Sequence, residues 1–254
     1  MNTHKYILSV AGFDPCSGAG ITSDIKTFEA HNLYGLSVCT AITIQNDVDF
    51  KQCIWTKPEI ILAQIETLFE RFEVSVVKIG IVESWQVLIL ILNKLKSLNS
   101  SIKIILDPIF KSSSGFDFHL KESQELLNTI WKQCYLITPN YDEIKSLYSK
   151  LNPQETIEHI SGFTNIYLKG GHREDKKGWD ELYHSGIVMV NIPPVAESIF
   201  EKHGSGCVLS SAIAANLTLE ISLEDACKLA KYYTEKYLNS NKSLLGSHNY
   251  PFKN

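Results

Sequence analysis

Two glycine-rich turns hold the residues of this sequence best suited to chemistry. One is Gly12-Phe13-Asp14-Pro15-Cys16-Ser17-Gly18-Ala19-Gly20, and the other is His203-Gly204-Ser205-Gly206-Cys207. Glycines at a strand-to-helix turn let backbone N–H groups approach a ligand closely, and the helix N-terminus behind them favours negative charge. The second turn runs into Val208-Leu209-Ser210-Ser211-Ala212, so its successive N–H groups form a cradle for an anion such as a transferring phosphoryl group. Gly204, Ser205, Gly206 and Cys207 are the candidate members, and the same field is expected to lower the Cys207 thiol pKa. Each turn by itself also reads as an ordinary tight turn.

Carboxylates and a lysine stand at other places where strands should end. Asp107-Pro108 closes an apolar run, Thr138-Pro139-Asn140-Tyr141-Asp142-Glu143 follows another, and Leu168-Lys169-Gly170-Gly171-His172 follows a third. Strand-end carboxylates suit Mg²⁺ held through water beside nucleotide phosphates, and a lysine there can reach phosphate. Singly, each has a plain structural reading: Asp107 as a turn residue, Asn140 and Glu143 as a capping box, Lys169 as a surface turn. Asp24, one helical turn beyond Gly20, can reach a ligand or simply favour the helix dipole. There is no G-x-G-x-x-G dinucleotide fingerprint, Walker A loop, G-x-S-x-G elbow or pair of histidines at i, i+4. The joint chemistry is phosphoryl transfer without a P-loop.

Such a set must be positioned by a sheet whose strands share a direction. Strands are predicted over Lys5–Val10, Leu36–Ile44, Val74–Val82, Ile102–Leu106, Tyr135–Thr138 and Asn165–Leu168. Helices are predicted over Gly18–His31, from Pro58 through Phe72, and over Ser84–Leu98, Lys121–Trp131, Tyr141–Leu151 and Pro153–Ser161. This alternation gives an α/β fold, a mostly parallel sheet with helices on both faces. Glu181–His184 and Ile187–Ile192, joined by Ser185-Gly186, read as an antiparallel hairpin, followed by helices over Cys207–Leu219 and Leu223–Leu238. With 254 residues and no linker-like tract, the chain reads as a single domain, 1–254, ending in an irregular tail from Asn239. A formal charge of -4 without a basic block argues against nucleic acid, and the longest apolar run, Val87 to Leu92, is too short to span a membrane. Six scattered cysteines without a metal-ligand spacing fit a reduced, cytoplasmic protein.

Taken in order, these landmarks resemble the ribokinase-like superfamily, and within it the hydroxymethylpyrimidine and phosphomethylpyrimidine kinases of thiamine biosynthesis. The resemblance runs through Ala11-Gly12-Phe13-Asp14-Pro15, Asp24-Ile25-Lys26-Thr27-Phe28, Gln45-Asn46, Val77-Lys78-Ile79-Gly80, Leu106-Asp107-Pro108, Ser114-Gly115, Thr138-Pro139-Asn140, Lys169-Gly170-Gly171-His172 and His203-Gly204-Ser205-Gly206-Cys207. It implies a pyrimidine ring over the first turn near Gly12 and Ala19, with Asp24 and Gln45 bonding its polar edges and Ile81 and Ile109 as apolar neighbours. It implies further that Gly204 to Cys207 form the anion hole, with Cys207 in the place of the general base. Asp107 and Glu143 would organise Mg²⁺, and Asn140, Lys169 and Gly171 the ATP; a need for K⁺ is left open, and a homodimer is expected. Asp47, Ile81 and Val82-Glu83-Ser84 depart from the family's usual residues around the substrate pocket. A pyridoxal kinase and a catalytically inert ligand-binding relative are therefore the alternatives; Gln45-Asn46 speaks against the first, and the intact Gly204, Gly206, Cys207, Asp107 and Glu143 against the second.

Overall fold

The structure, a computed structural model, describes residues 5–108, 123–171 and 177–248. In chain order the first half comprises β1 (Tyr6–Phe13), α1 (Gly20–Ala30), β2 (Tyr34–Gln45), β3 (Phe50–Trp55), α2 (Pro58–Phe69), β4 (Val74–Ile79), α3 (Trp85–Leu98) and β5 (Lys103–Leu106). The second comprises α4 (Gln124–Trp131), β6 (Leu136–Ile137), α5 (Tyr141–Leu147), α6 (Pro153–Ser161), β7 (Asn165–Leu168), β8 (Asp180–His184), β9 (Ile187–Ile192), α7 (Ser205–Thr218) and α8 (Leu223–Leu238).

Among the described residues these strands form one nine-stranded sheet in the order β3-β2-β1-β4-β5-β6-β7-β8-β9. The pairs from β2 through β1, β4, β5 and β6 to β7 are parallel, while β3 on one edge and β8 and β9 on the other run antiparallel. The strand alternation decides which helices lie where. Leu8, Val10, Val77, Ile79, Ile104 and Leu106 point to a core shared with α2, α3, α4, α5 and α6. Their neighbours Ile7, Val76 and Ile105 point to a second core made with α1, α7 and α8. Each fully buried aliphatic side chain stabilises the fold by roughly 1.5–3 kcal/mol, so both faces of the central strands must be covered.

Helix α7 is buried from Cys207 to Thr218, which explains its small residues and the pairing of its polar ones: Ser210, Ser211, Asn216 and Thr218 each find a hydrogen-bond partner. The hairpin turn at Ser185 and Gly186 takes φ of 50° and 82°, the left-handed geometry that a tight two-residue turn requires. Strand β3 was absent from the sequence-derived elements. Its polar Lys51 and Gln52 are exposed at the sheet edge, and it is joined to β2 by Asn46, whose Oδ1 accepts from Val48 N at 2.8 Å and Asp49 N at 2.6 Å. Helix α5 ends at Leu147, short of the predicted Leu151: Tyr148 takes extended backbone with φ of -130° and ψ of 105°, and Asn152 then opens α6 with its own capping box.

Candidate active site

The parallel strands β1, β4, β5, β6 and β7 all direct their carboxyl ends to one edge of the sheet, where loops and helix N-termini meet. β5 delivers Asp107 and β7 delivers Lys169 to this edge. Lys169 Nζ donates to Asp107 Oδ1 at 2.9 Å and lies 3.7 Å from Glu143 Oε2. Thr138 Oγ1 at 3.1 Å and Ser210 Oγ at 3.3 Å also donate to the Asp107 carboxylate. A Cβ on Gly206 would stand 3.5 Å from Lys169 Nζ and 3.8 Å from Asp107 Oδ2, so the second glycine turn faces this cluster directly. Asp107, Glu143, Lys169 and Gly206 are thus brought together as the sequence suggested.

The capping reading of Asn140 holds as well. Its side chain accepts from Glu143 N at 2.8 Å, and Glu143 Oε2 accepts from Asn140 N at 2.6 Å. The box fixes Glu143 at the mouth of α5, so one pair of side chains both caps a helix and aims a carboxylate. Gly171 is exposed beyond β7 with open space around it. Its neighbour Gly170 donates its N–H to Asp180 Oδ1 at 2.6 Å, which anchors the loop.

Electrostatics in this cluster follow burial and pairing. Burial by itself would raise Asp107, but Lys169 first and Lys78 second hold it below the ordinary carboxylate value. Burial pushes Glu143 up to about 7; Lys169 opposes this and Asp107 reinforces it. Lys169, against the effect of its burial, is held above the usual lysine value by Asp107 and Glu143. Two oxygen-donor carboxylates flanking one lysine suit a hard divalent cation held largely through water and phosphate oxygens rather than by the protein alone. The residues therefore fit Mg²⁺ as a companion of phosphate.

At the first turn, Gly20 has φ of +60° and a Cβ there would fall 2.1 Å from Gly12 O, so only glycine lets β1 and α1 close up. Gly12 packs directly on Ile81, whose backbone O accepts from Thr40 Oγ1 at 2.6 Å, and Ala19 caps α1. Gln45 lies half-buried at the end of β2. Ile109, together with Ser114, Gly115 and His172, lies outside the described residues.

Two expectations need correction. Asp24 is fully enclosed and its oxygens are taken: Oδ1 accepts from Lys78 Nζ at 2.9 Å and Ser211 Oγ at 2.7 Å, and Oδ2 from Lys78 Nζ at 2.9 Å and Ser9 Oγ at 2.6 Å. It is a buried ion-pair anchor beneath the site and not a contact to a substrate edge. Cys207 does not have a lowered pKa either. Burial is the largest influence and pushes the thiol up to about 11, with Lys78 acting the other way and Asp24 and Asp107 adding to the rise.

Sequence reasoning named Lys78 only as part of a family motif and gave it no role, and it overlooked Ser210, Ser211 and the contact between the two glycine turns. A lysine inside an apolar strand, as in Val76-Val77-Lys78-Ile79, was the available signal, because such a lysine needs a buried acid. Consecutive serines on α7 reach the two carboxylates, Ser210 to Asp107 and Ser211 to Asp24.

The phosphomethylpyrimidine kinase family matches residues 14–253. The chain belongs to this family. It is 35% identical over 246 residues to the hydroxymethylpyrimidine/phosphomethylpyrimidine kinase of Aquifex aeolicus, covering 92% of this chain and 95% of that one. It is 32% identical to the kinase of the same name from Rhizobium meliloti, over 93% of this chain and 91% of that one. Its structure resembles that of phosphomethylpyrimidine kinase from Clostridium difficile, with a TM-score of 0.75, 32% identity, and coverage of 90% of this chain and 97% of that one. The pyridoxal kinase of Staphylococcus aureus in complex with ADP superposes with a TM-score of 0.82 at 19% identity, over 99% of this chain and 96% of that one, which shows the shared fold. As a member of the kinase family the chain is a phosphotransferase, and none of its helices among the described residues is long and apolar enough to cross a membrane.

Proposed function

We propose that this kinase transfers the γ-phosphoryl group of ATP to 4-amino-5-hydroxymethyl-2-methylpyrimidine and then to its monophosphate, giving the diphosphate used in thiamine biosynthesis. The observation that carries the reading is the Asp107–Lys169–Glu143 cluster facing the Gly204–Cys207 turn, in a chain whose relatives bear that activity in their names. Phosphoryl transfer needs little covalent help from a protein; it needs the two reactants aligned and the equatorial oxygens surrounded by donors.

Backbone N–H groups at the start of α7 supply those donors, and the left-handed Gly204 turns them outward. Lys169 would steady the phosphates, with Asn140 and Gly171 at the nucleotide side. Asp107 and Glu143 would hold Mg²⁺ through water, and that ion neutralises phosphate charge when bound. Gly12, Ala19, Gln45 and Ile81 frame the pyrimidine, with Ile109 as a further neighbour. The hydroxymethyl oxygen attacks phosphorus, the bond to the ADP oxygen breaks, and the alcohol proton passes to Cys207 as thiolate. The whole chain would work as one kinase domain, a cytoplasmic homodimer, with a K⁺ requirement to be tested by ion replacement.

A coupled ADP-release assay with Mg-ATP against hydroxymethylpyrimidine, its monophosphate, pyridoxal and ribose tests the reading. Turnover of the two pyrimidines is the expected result. Turnover of pyridoxal alone would overturn the substrate while keeping the chemistry, and silence on all four with ligand binding intact would leave a binding protein.

A further inference from the structure

The two glycine turns are joined across the sheet edge by a single carboxylate. Asp14, immediately after β1, points its Oδ2 at four donors: Gly18 N at 3.1 Å, Ala19 N at 2.8 Å, Cys16 Sγ at 3.2 Å and His203 Nε2 at 3.0 Å. Its Oδ1 accepts from Cys16 N at 3.0 Å. The first three of these donors, with Cys16 N, shape the turn that frames the pyrimidine. The fourth comes from 189 residues away and sits directly before Gly204, the left-handed residue that opens the anion hole.

The contact is built, not incidental. The Asp14 and His203 side chains are 1% and 8% exposed, so the bond is shielded from competing water. The His203 ring packs on Gly18, where a Cβ would meet ring Cδ2 at 2.6 Å, and a Cβ on Gly204 would meet Gly18 O at 2.0 Å. His203 is held from behind as well: its N–H donates to Leu244 O at 2.9 Å, and the preceding Lys202 Nζ donates to Asn241 O at 2.7 Å. The segment after α8 therefore has a task, which is to back the histidine.

We propose that His203 is a positioning residue whose hydrogen bond to Asp14 fixes the distance between the pyrimidine turn and the phosphoryl anion hole. The proposal rests on the functional reading above, since it is the alcohol on one turn and the phosphoryl on the other that must be held in register. A carboxylate that accepts from four partners is a pure acceptor, so the proton of this bond sits on His203 Nε2. Reactant misplacement of about 1 Å costs on the order of 100-fold in rate, which is why a link remote from the bond being made matters.

Asp14, Cys16 and His203 also form a group whose donor atoms lie within 4.8 Å of one another, the donor set of a transition-metal site. The hydrogen-bond reading is favoured because the carboxylate oxygen they share already receives two backbone N–H groups, which leaves no lone pair aimed at a cation.

Two variants of the full chain test the link. His203→Phe keeps a ring on Gly18 and removes the donor; His203→Gln returns an N–H at comparable reach. The expected result is a fall in kcat of about tenfold or more for His203→Phe with the KM for ATP little changed, recovery to within about threefold in His203→Gln, and faster amide hydrogen exchange at residues 16–20 in His203→Phe alone. A kcat and an exchange pattern in His203→Phe like those of the parent chain would overturn the proposal, as would a loss that His203→Gln fails to restore. Thiolate-to-metal absorption on adding Co²⁺, abolished by Cys16→Ser, would overturn it in favour of a metal bridge. The exchange arm needs no turnover, so failure of the link is distinguishable from failure of the proposed reaction, which would show as an inactive parent chain.

Discussion

Replacing Asp24 by Asn separates the two roles that this residue has been given, substrate contact and buried anchor. In the structure the two carboxylate oxygens receive Lys78 Nζ twice at 2.9 Å, Ser9 Oγ at 2.6 Å and Ser211 Oγ at 2.7 Å, with both Asp24 and Lys78 fully enclosed. An amide keeps one acceptor but turns an NH₂ toward the Lys78 ammonium, and it leaves that ammonium inside the core without the counter-charge it is hydrogen-bonded to, with Asp107 acting on it without a direct ion pair. Breaking a buried pair from one side costs about 3–5 kcal/mol. For a chain of this size each kcal/mol lowers Tm by roughly 2–4 °C, so Asp24→Asn should melt about 6–20 °C below the parent chain. The cost should not be kinetic: assayed well below its own Tm, the variant should keep its KM for hydroxymethylpyrimidine within about threefold, because no Asp24 atom reaches the cleft. Adding Lys78→Met removes the orphaned charge and should recover part of the lost stability, a non-additivity expected only of direct partners. Thermal melts followed by circular dichroism, paired with steady-state kinetics, read both quantities. A Tm change under about 2 °C accompanied by a tenfold rise in the pyrimidine KM would refute the anchor and restore Asp24 as a substrate ligand.

Three further outcomes are expected. If Cys207 accepts the alcohol proton, its thiol at about 11 makes the working form a minority near neutrality. The parent kcat/KM should then climb between about pH 7 and 9, and the climb should vanish in Cys207→Ala; a profile equally flat in both would leave Cys207 only orienting the alcohol. Asp14 is held down at about 2: burial opposes this, but His203, Cys16 and Ala19 together outweigh it. A carboxyl whose folded pKa lies below its unfolded value of about 3.9 contributes stability above that value and loses it as pH falls toward the folded one. Urea titrations should therefore show Asp14→Asn weaker by roughly 2 kcal/mol at about pH 6, with the gap to the parent chain narrowing below about pH 4; a pH-independent gap would contradict the assignment. Gly204→Ala should lower kcat by about 100-fold or more, since φ of +76° and a Cβ 2.0 Å from Gly18 O force the turn open; a variant within threefold of the parent would remove the anion-hole assignment.

Much of the scaffold was legible because a parallel sheet writes itself in the sequence twice, once in β-rich apolar runs and again in the helical spacing between them. Ile7, Leu8 and Val10 or Val76, Val77 and Ile79 are apolar on both sides because both sides are covered. The edge strand β3 was not legible, since an exposed edge tolerates Lys51 and Gln52 and loses the run that marks a central strand. The cluster of Asp107, Glu143 and Lys169 could be anticipated because Asp107 and Lys169 directly follow β5 and β7, Glu143 closes the capping box of the helix that follows β6, and strands of a parallel sheet end together. The contacts of Asp24, Lys78 and Asp14 could not, for they join residues whose spacing follows no period.

By itself, the sequence determined the order of elements apart from the edge strand β3, the parallel sheet, the two glycine turns and the kind of chemistry their N–H groups allow, because backbone geometry and strand periodicity are local properties of residue type. Tertiary structure decided which charged groups work and which only hold. It buried Asp24 against Lys78, raised the Cys207 thiol where the helix field alone would have lowered it, and set His203 on Asp14. The reason is physical: the state of an ionisable group depends on the water it loses and the charges it meets, and both are fixed by packing between segments far apart in the chain.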